Sequence, residues 1–183
     1  MSFDARPAEY ELRPVGVDDF QALVTLGRAS ADTGRVRVAA HYVRNPVDAR
    51  AALNPDLEWV VAEEGAELIG AAHVSFGERE VEGSLHPCAC LSGLMVHPDH
   101  RRRGVAKALT EWRLQRAGPD AVVVAAIQSG NVGSVANARS WTTQIFGSLT
   151  IPVSRSGPTQ AQPLRRPAMP SALSTISAAR SMR

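Results

Sequence analysis

The residues best suited to chemistry in this chain lie between an apolar run and an amphipathic run. Three consecutive arginines, Arg101, Arg102 and Arg103, precede Gly104, and a pattern with helical spacing begins at Val105. The start of a helix presents unpaired backbone N–H groups and a partial positive charge, which together favour a phosphate. Glycine lets the backbone approach a ligand, and arginine side chains add charge-assisted hydrogen bonds. The residues alone therefore predict pyrophosphate binding at this helix start.

The elements on either side of the loop must position it. Apolar residues recur at helical spacing along one face of the following helix, at Val105, Ala108, Leu109 and Trp112. Polar residues take the positions that we expect on the opposite face, at Lys107, Thr110, Glu111 and Arg113. Gly118 and Pro119 end this predicted helix. Before the loop, residues 90–96 form a predicted strand.

The remaining residues alternate between strand and helix patterns, which is typical of an α/β fold. In chain order we expect a strand at 10–15, helices at 18–28 and 43–53, strands at 58–62, 67–74, 90–96 and 121–127, a helix at 132–139 and a weaker strand at 145–153. Asp18 and Gln21 form the predicted capping box of the first helix. Pro46 fits the first turn of the second helix, and residues 77–84 are predicted to be a polar loop.

One motif carries a family resemblance. Arg101-x-x-Gly104-x-Ala106 resembles the R/Q-x-x-G-x-G/A signature of the GNAT N-acetyltransferase superfamily. The flanking strand and helix are similar too, and so is the order of elements over about three quarters of the chain. The resemblance implies an α/β fold with a GNAT-like mixed central sheet flanked by helices. It also implies an enzyme that moves an acetyl group from acetyl-CoA to a primary amine of a small molecule or peptide.

The same resemblance implies where acetyl-CoA binds. Its pyrophosphate would lie on the loop and helix start, formed by Arg101, Arg102, Arg103, Gly104, Val105, Ala106 and Lys107. Its pantetheine arm would pair like an added strand with the backbone of Leu94, Met95 and Val96. In this family that strand splays from the next one, here residues 121–127, and the thioester lies in the gap. Asn131 stands where the family often has an asparagine that contacts the cofactor.

Acetyl transfer needs a base for the amine proton and groups that stabilise the oxyanion and the leaving thiolate. His73 on a central strand and Glu82 in the polar loop are candidate bases, and Ser134 is a candidate contact of the sulfur. Each has a simpler interpretation as well. His73 could be a packed core histidine, and Glu82 could belong with Glu78 and Glu80 to a solvated loop.

The resemblance also implies a residue that this chain lacks. The family often places a tyrosine on the helix after Asn131 as the acid that protonates the thiolate. This chain has two tyrosines, Tyr10 and Tyr42, and Ala138 occupies roughly the expected position. A second function class therefore stays open, namely a module that binds a CoA ester without catalysing transfer.

We predict no metal site. Cys88 and Cys90 are the only cysteines, and with His86 they offer too few ligands for a closed zinc site. Packed, inert cysteines are the simpler interpretation. The proline between His97 and His100 prevents one α-helix from carrying both side chains as ligands.

Charge and composition divide the chain unevenly. Residues 1–138 carry 14 basic and 18 acidic residues, whereas residues 139–183 carry six arginines and no acid. From residue 152 onward Ser, Pro, Ala and Arg dominate, so we expect a domain at 1–151 and a disordered tail at 152–183. The tail has no aromatic residue for base stacking and few arginines for its length, so nucleic-acid binding is the weaker interpretation.

The end of the domain leaves three alternatives open. The fold could end early, could be completed by exchange in a homodimer, or could diverge after Arg139 through a change of reading frame. No run approaches the roughly 20 apolar residues of a bilayer span, and the first residues lack the layout of a secretory signal. We therefore expect a cytoplasmic protein whose partners are acetyl-CoA and an amine, with no membrane.

Overall fold

A computed structural model describes residues 9–30, 45–146 and 177–180 of the chain. The elements in these ranges are β1 (Glu11–Pro14), α1 (Phe20–Ala29), α2 (Pro46–Leu53), β2 (Leu57–Glu64), β3 (Glu67–Val81), β4 (Ser84–Val96), α3 (Val105–Ala117), β5 (Val122–Ala126), α4 (Val132–Arg139), β6 (Gln144–Phe146) and β7 (Ser177–Arg180). Single 3-10 turns precede α1 at Val17–Asp19 and follow β4 at Pro98–His100. None of the described helices is long and apolar enough to cross a membrane.

The described strands form one mixed sheet in the order β1-β2-β3-β4-β5-β7-β6. Neighbouring strands are antiparallel except β4 and β5, which are parallel because α3 forms the crossover between them. Strand residues alternate between the two faces of the sheet. On one face, Leu23 and Leu26 of α1 pack against Trp59 and Val61. On the other face, α3 packs against β2 and β3. The predicted mixed sheet flanked by helices is therefore confirmed.

The long strand β4 has two different neighbours along its length. It pairs with β3 as far as Val96, whereas its pairing with β5 ends at Leu91 opposite Ala125. Near the same point the register against β3 shifts, because Gly93 adds a residue at a positive φ of 60°. This arrangement is a β-bulge of the kind that glycine allows. The strands consequently separate beyond Leu91, as the resemblance implies.

The predicted polar loop at residues 77–84 is wrong, because β3 and β4 continue as a hairpin to the pair Val81–Ser84. A two-residue turn at Glu82 and Gly83, with φ values of 52° and 81°, joins them. Two positive φ values suit the right-handed twist of paired strands, which is why this short turn type favours glycine. Charge and glycine content resemble those of a loop here because both faces of the hairpin end are exposed.

The start of α1 also differs from its prediction. Asp19, not Asp18, is the N-cap residue of α1, and its side chain caps no N–H of that helix. Its carboxylate instead accepts a hydrogen bond of 2.7 Å from the Gly16 backbone N–H and so closes the preceding 3-10 turn. A 3-10 turn before α1 shifts the cap by one residue. The first turn of α2 is as predicted: Pro46 is its first residue and the Asn45 side chain accepts from the Val47 N–H at 2.9 Å.

The C-terminal part contains one correction. Ser177–Arg180, inside the predicted disordered tail, form β7, which pairs with β5 and with β6. Composition fails to indicate this strand because an existing sheet edge supplies backbone hydrogen bonds, which need no large apolar side chain. The rest of the predicted tail lies outside the described residues, as do residues 147–153 of the predicted last strand and residues 43–44 of the second helix.

Candidate active site

The loop before α3 has an unusual backbone. Arg102 and Gly104 both have positive φ values, 62° and 86°, and Gly104 is the N-terminal cap of α3. Successive N–H groups in such a loop form a concavity that suits an anion, and the helix dipole adds a partial positive charge. A positive φ at a non-glycine residue such as Arg102 costs free energy and is common at functional sites.

A cavity of about 530 Å³ opens beside this loop. The predicted cofactor residues that line it are Leu94, Met95, Val96, Arg101, Arg102, Gly104, Val105, Ala106, Lys107 and Asn131. Three elements contribute to it: the end of β4, the start of α3 and the start of α4. The structure therefore brings together every predicted cofactor residue except Arg103.

Arg103 is directed to β2 instead. Its guanidinium donates hydrogen bonds to both carboxylate oxygens of Glu64, at 2.5 and 3.0 Å, and contacts Glu9 at 3.3 Å. The hydrogen bond with Glu64 raises the pKa of Arg103, and the same contact lowers the pKa of Glu64. Arg103 thus connects the loop to the sheet. Its position among three consecutive arginines does not show whether it binds phosphate or forms this ion pair.

The end of β4 offers an unpaired edge to this cavity. Met95 and Val96 pair with Ala71 and Gly70 of β3 on one side, but β5 provides no partner on the other side beyond Leu91. Unpaired backbone groups of a strand readily accept an extended ligand as an added strand. An amide-containing arm that starts at the phosphate loop could follow this edge.

A second cavity of about 210 Å³ fills the gap between β4 and β5. It shares Leu94, Asn131, Ser134 and Asn137 with the first cavity, so the two cavities are adjacent. Asn131 caps α4 by accepting a hydrogen bond of 3.0 Å from the Ser134 N–H. A ligand in the first cavity can therefore extend its far end into the gap.

The floor of the gap contains Arg113, which is only 2% exposed. Its guanidinium donates to the backbone carbonyls of Leu109 at 3.1 Å and Ser92 at 3.3 Å, and to Thr110 Oγ1 at 3.1 Å. Burial lowers the pKa of Arg113 to about 10, which leaves it charged at neutral pH. The prediction that Thr110 and Arg113 lie on a solvent face is wrong, because both are buried.

A sequence signal for Arg113 exists. Val105, Leu109 and Arg113 are spaced by four residues, so one helix face carries all three. Val105 and Leu109 are buried, and Arg113 follows them onto the sheet. The polarity of Arg113 alone suggests the solvent-facing side of α3, whereas its spacing from Val105 and Leu109 indicates the side that packs on the sheet.

The three predicted catalytic residues lie in different places. Ser134 lines both cavities. The His73 ring is buried, stacks on Trp59 at 4.7 Å between ring centroids, and lies against Gly93 at the bulge. Glu82 is at the exposed hairpin turn, nine residues along β3 from His73 and therefore about 30 Å away. The structure brings Ser134 to the gap and does not bring Glu82 there.

Two groups of possible metal ligands differ in arrangement. Burial raises the pKa of Cys88 and Cys90, as expected for packed, inert thiols. Candidate ligand atoms of Glu67, His97 and His100 lie within 4.8 Å of one another. The reason given against His97 and His100 does not hold, because a 3-10 turn tolerates the intervening proline and places residues i and i+3 on the same side.

The cluster of Glu67, His97 and His100 nevertheless has a competing cation. A guanidinium nitrogen of Arg103 lies 2.7 Å from His100 Nδ1, which disfavours a metal ion at that nitrogen. The absence of a metal site stays a prediction.

Comparison with known proteins is decisive for the family. Residues 29–140 match the family model described as "Acetyltransferase (GNAT) family", which is more than half of the chain. The chain belongs to the GNAT acetyltransferase family. This GNAT domain includes the loop before α3, the start of the gap and α4, so the matched region contains every residue that lines the first cavity and all those of the second except Trp141.

Individual relatives agree with the family. A mycothiol acetyltransferase from Saccharopolyspora erythraea is 44% identical over 59 residues, which cover 32% of this chain and 18% of the relative. An acetyltransferase from Thermus thermophilus has a TM-score of 0.61 at 16% identity, covering 94% of this chain and 97% of that one. A ribosomal-protein-alanine N-acetyltransferase from Brucella melitensis has a TM-score of 0.61 at 19% identity, covering 94% and 99%. At such identities the two structures show the fold alone.

Proposed function

We propose that this GNAT protein transfers an acetyl group from acetyl-CoA to a primary amine of a small molecule or peptide. The observation that carries the proposal is the pair of adjacent cavities, one at the loop before α3 and the edge of β4, the other in the gap between β4 and β5. In this proposal the pyrophosphate lies on the N–H groups at Gly104, and the pantetheine arm pairs with Leu94, Met95 and Val96. The thioester then reaches the gap.

The reaction itself needs few protein groups. The amine nitrogen attacks the thioester carbonyl carbon, a C–N bond forms, and backbone N–H groups stabilise the developing oxyanion. The C–S bond then breaks, its electron pair goes to sulfur as a thiolate, and the amine proton goes to a base or water. Holding the two reactants together supplies much of the acceleration.

The residue roles follow the geometry. Ser134 is proposed as a hydrogen-bond donor near the sulfur, because it lines both cavities. His73 is proposed to act on the amine only through water, since its ring reaches the Gly93 bulge from the sheet face that packs on α1. The position of Glu82 at the hairpin tip does not support the predicted role as base.

The names of two similar proteins bear on the class of acceptor. One is called a mycothiol acetyltransferase and the other a ribosomal-protein-alanine N-acetyltransferase. The match to the first covers only 18% of that relative, so its acceptor is not carried over. We propose both a small amine and a peptide N-terminus as acceptor classes.

A second candidate function is a module that binds a CoA ester without turnover. Ala138, 2% exposed, lines the gap where the resemblance implies an acidic tyrosine. A thiol-release assay with acetyl-CoA and an amine panel separates the two functions. The panel contains alanine-initiated peptides, polyamines and aminoglycosides, and mass spectrometry detects the acetylated product. Turnover above buffer hydrolysis with any amine supports the enzyme, whereas binding of CoA with no turnover across the panel supports the module.

A further inference from the structure

The gap between β4 and β5 contains a buried positive charge that forms no ion pair with a carboxylate among the described residues. Arg113 is 2% exposed, and among the described residues its hydrogen bonds go to backbone carbonyls and to Thr110. Burial also lowers the pKa of Arg113, because it disfavours the charged form. Buried charges in proteins are normally paired, because an unpaired one loses hydration.

The hydrogen bonding of Arg113 leaves part of its capacity unused. A guanidinium has five N–H donors. Within the described residues its acceptors are the carbonyls of Leu109, His73 and Ser92 and the Thr110 hydroxyl. One donor therefore has no protein acceptor in the described part of the chain.

A second buried donor lies in the same gap. Trp141 lines it, and its indole Nε1 is inaccessible to solvent and has no hydrogen-bond partner in the described residues. Buried N–H groups without an acceptor are rare, and each asks for an explanation. Arg113 comes from α3 and Trp141 from the turn after α4, so two separate elements contribute donor-bearing side chains to the lining of one small cavity.

We infer that Arg113 and Trp141 form an anion-stabilising floor for the sulfur of CoA, which takes the role left open by the missing tyrosine. This inference rests on the proposed function, which brings the thioester into the gap. When the C–S bond breaks, its electron pair goes to sulfur, and the positive charge of Arg113 and the indole N–H stabilise the resulting thiolate. Arg113 gives up no proton, and the thiolate leaves as an anion that solvent protonates after release.

Other titratable groups around the floor do not supply the same stabilisation. His73 on β3 contributes its backbone carbonyl to Arg113, while its ring lies against Gly93. Cys90 on β4 is half-buried with a raised pKa, so it is neutral at neutral pH. Arg139 on α4 and Arg116 on α3 are exposed residues that do not line the gap.

The test measures the thiol pKa of CoA bound to the protein. Thiolate absorbance is recorded against pH for the CoA complex, and the desulfo-CoA complex is the blank that removes the signals of Cys88, Cys90 and tyrosine. We expect the pKa of the bound thiol to lie about one unit or more below that of free CoA, since an opposite charge nearby favours the ionised form. A bound thiol pKa equal to that of free CoA overturns the inference.

The variants separate charge from structure. Arg113→Gln is expected to remove most of the shift and Trp141→Phe part of it, whereas Arg113→Lys keeps the charge and much of the shift. Arg116→Gln and Trp112→Phe are the matched controls, because both alter α3 outside the gap and are expected to leave the shift intact. If Arg113→Gln and Trp141→Phe keep the full wild-type shift, the floor has only a structural role and the inference is overturned.

Two further outcomes keep this inference apart from the proposed function. If Arg113→Gln does not fold, the thiol pKa of bound CoA is compared between the wild-type, Trp141→Phe and Trp112→Phe proteins. A smaller shift in Trp141→Phe alone supports the inference, and equal shifts in all three overturn it. If the folded wild-type protein binds no CoA, the proposed function fails and the inference fails with it. If CoA binds without a thiol shift, the inference alone fails.

Discussion

Gly104 combines two roles at the scale of the residue. Its φ of 86° lies in the left-handed region, and it caps the helix whose N–H groups face the larger cavity. A side chain at this position would strain the backbone by about 1–2 kcal/mol and would also project beside the proposed phosphate site. These two effects can be separated, because Gly118 at the other end of α3 has a similar φ of 79° and no atom near its missing side chain.

We expect Gly104→Glu to abolish or weaken CoA binding at least about 100-fold, which corresponds to about 2.7 kcal/mol. The carboxylate fills the phosphate site and repels the pyrophosphate. Calorimetric titration with CoA measures the loss. Gly118→Glu is the control, since it also places a side chain at a positive φ but at the other end of α3, and it should bind CoA like the wild type. Equal CoA affinity in a folded Gly104→Glu protein would rule out this loop as the phosphate site.

At the scale of the residue, the motif predicts the backbone better than it predicts the directions of side chains. Helix α3 begins directly after Gly104, as the motif predicts, and phosphate binding at this loop stays a prediction. The three arginines are alike in sequence, yet Arg103 turns to Glu64 because the carboxylate at the end of β2 is within its reach. Only the packed sheet determines that Glu64 lies there.

At the scale of the element, the Gly93 bulge determines where β4 leaves β5. A Cβ built at Gly93 would approach the His73 ring to 2.2 Å, and the φ of 60° also disfavours any other residue. The bulge therefore requires glycine at position 93. Because β4 separates from β5 near the bulge, the gap between these strands depends on Gly93 as well.

We expect Gly93→Ala to lower the free energy of unfolding by about 2–4 kcal/mol, since it adds overpacking to a strained φ. Gly77→Ala in β3 is the control, because nothing lies within 4 Å of the added Cβ there and alanine orders the strand slightly better. Chemical denaturation measures both. The double variant with His73→Ala should recover the part that comes from the clash. Equal stability of the Gly93→Ala and Gly77→Ala proteins would contradict the observed packing.

Element order and the limits of α3 and α4 could be predicted because apolar spacing and glycine positions mark them. The extension of the β3–β4 hairpin could not be predicted, because exposed strand residues such as Glu78 and Glu80 have the polarity of a loop. The bulge could not be predicted either, because Gly93 alone gives no signal for it. The shift depends on how β4 pairs with residues of β3 that lie far away in the sequence.

At the scale of the whole molecule, β7 covers the free edge of β5. Val123, Val124 and Ala125 pair with Arg180, Ala179 and Ala178, and β6 pairs with the far side of β7. The composition of residues 152–183 predicts disorder because it offers little apolar surface, but pairing with an edge uses backbone groups that composition does not record.

We expect a chain that ends at residue 176 to unfold at a temperature several degrees lower than the full chain, because it exposes the edge of β5. A chain that ends at residue 180 retains β7 and is the control, with the melting temperature of the full chain. Thermal unfolding followed by circular dichroism measures both. A melting temperature that is the same for all three chains would contradict a stabilising role of β7.

The most direct test of the central claim is a calorimetric titration of the full chain with acetyl-CoA, desulfo-CoA and ATP. We expect micromolar binding of both CoA compounds, because both contain the pyrophosphate and the pantetheine arm that the loop and the β4 edge would hold. ATP lacks that arm and should bind much more weakly. Well-folded protein that binds neither CoA compound, or binds ATP as tightly, would contradict the account.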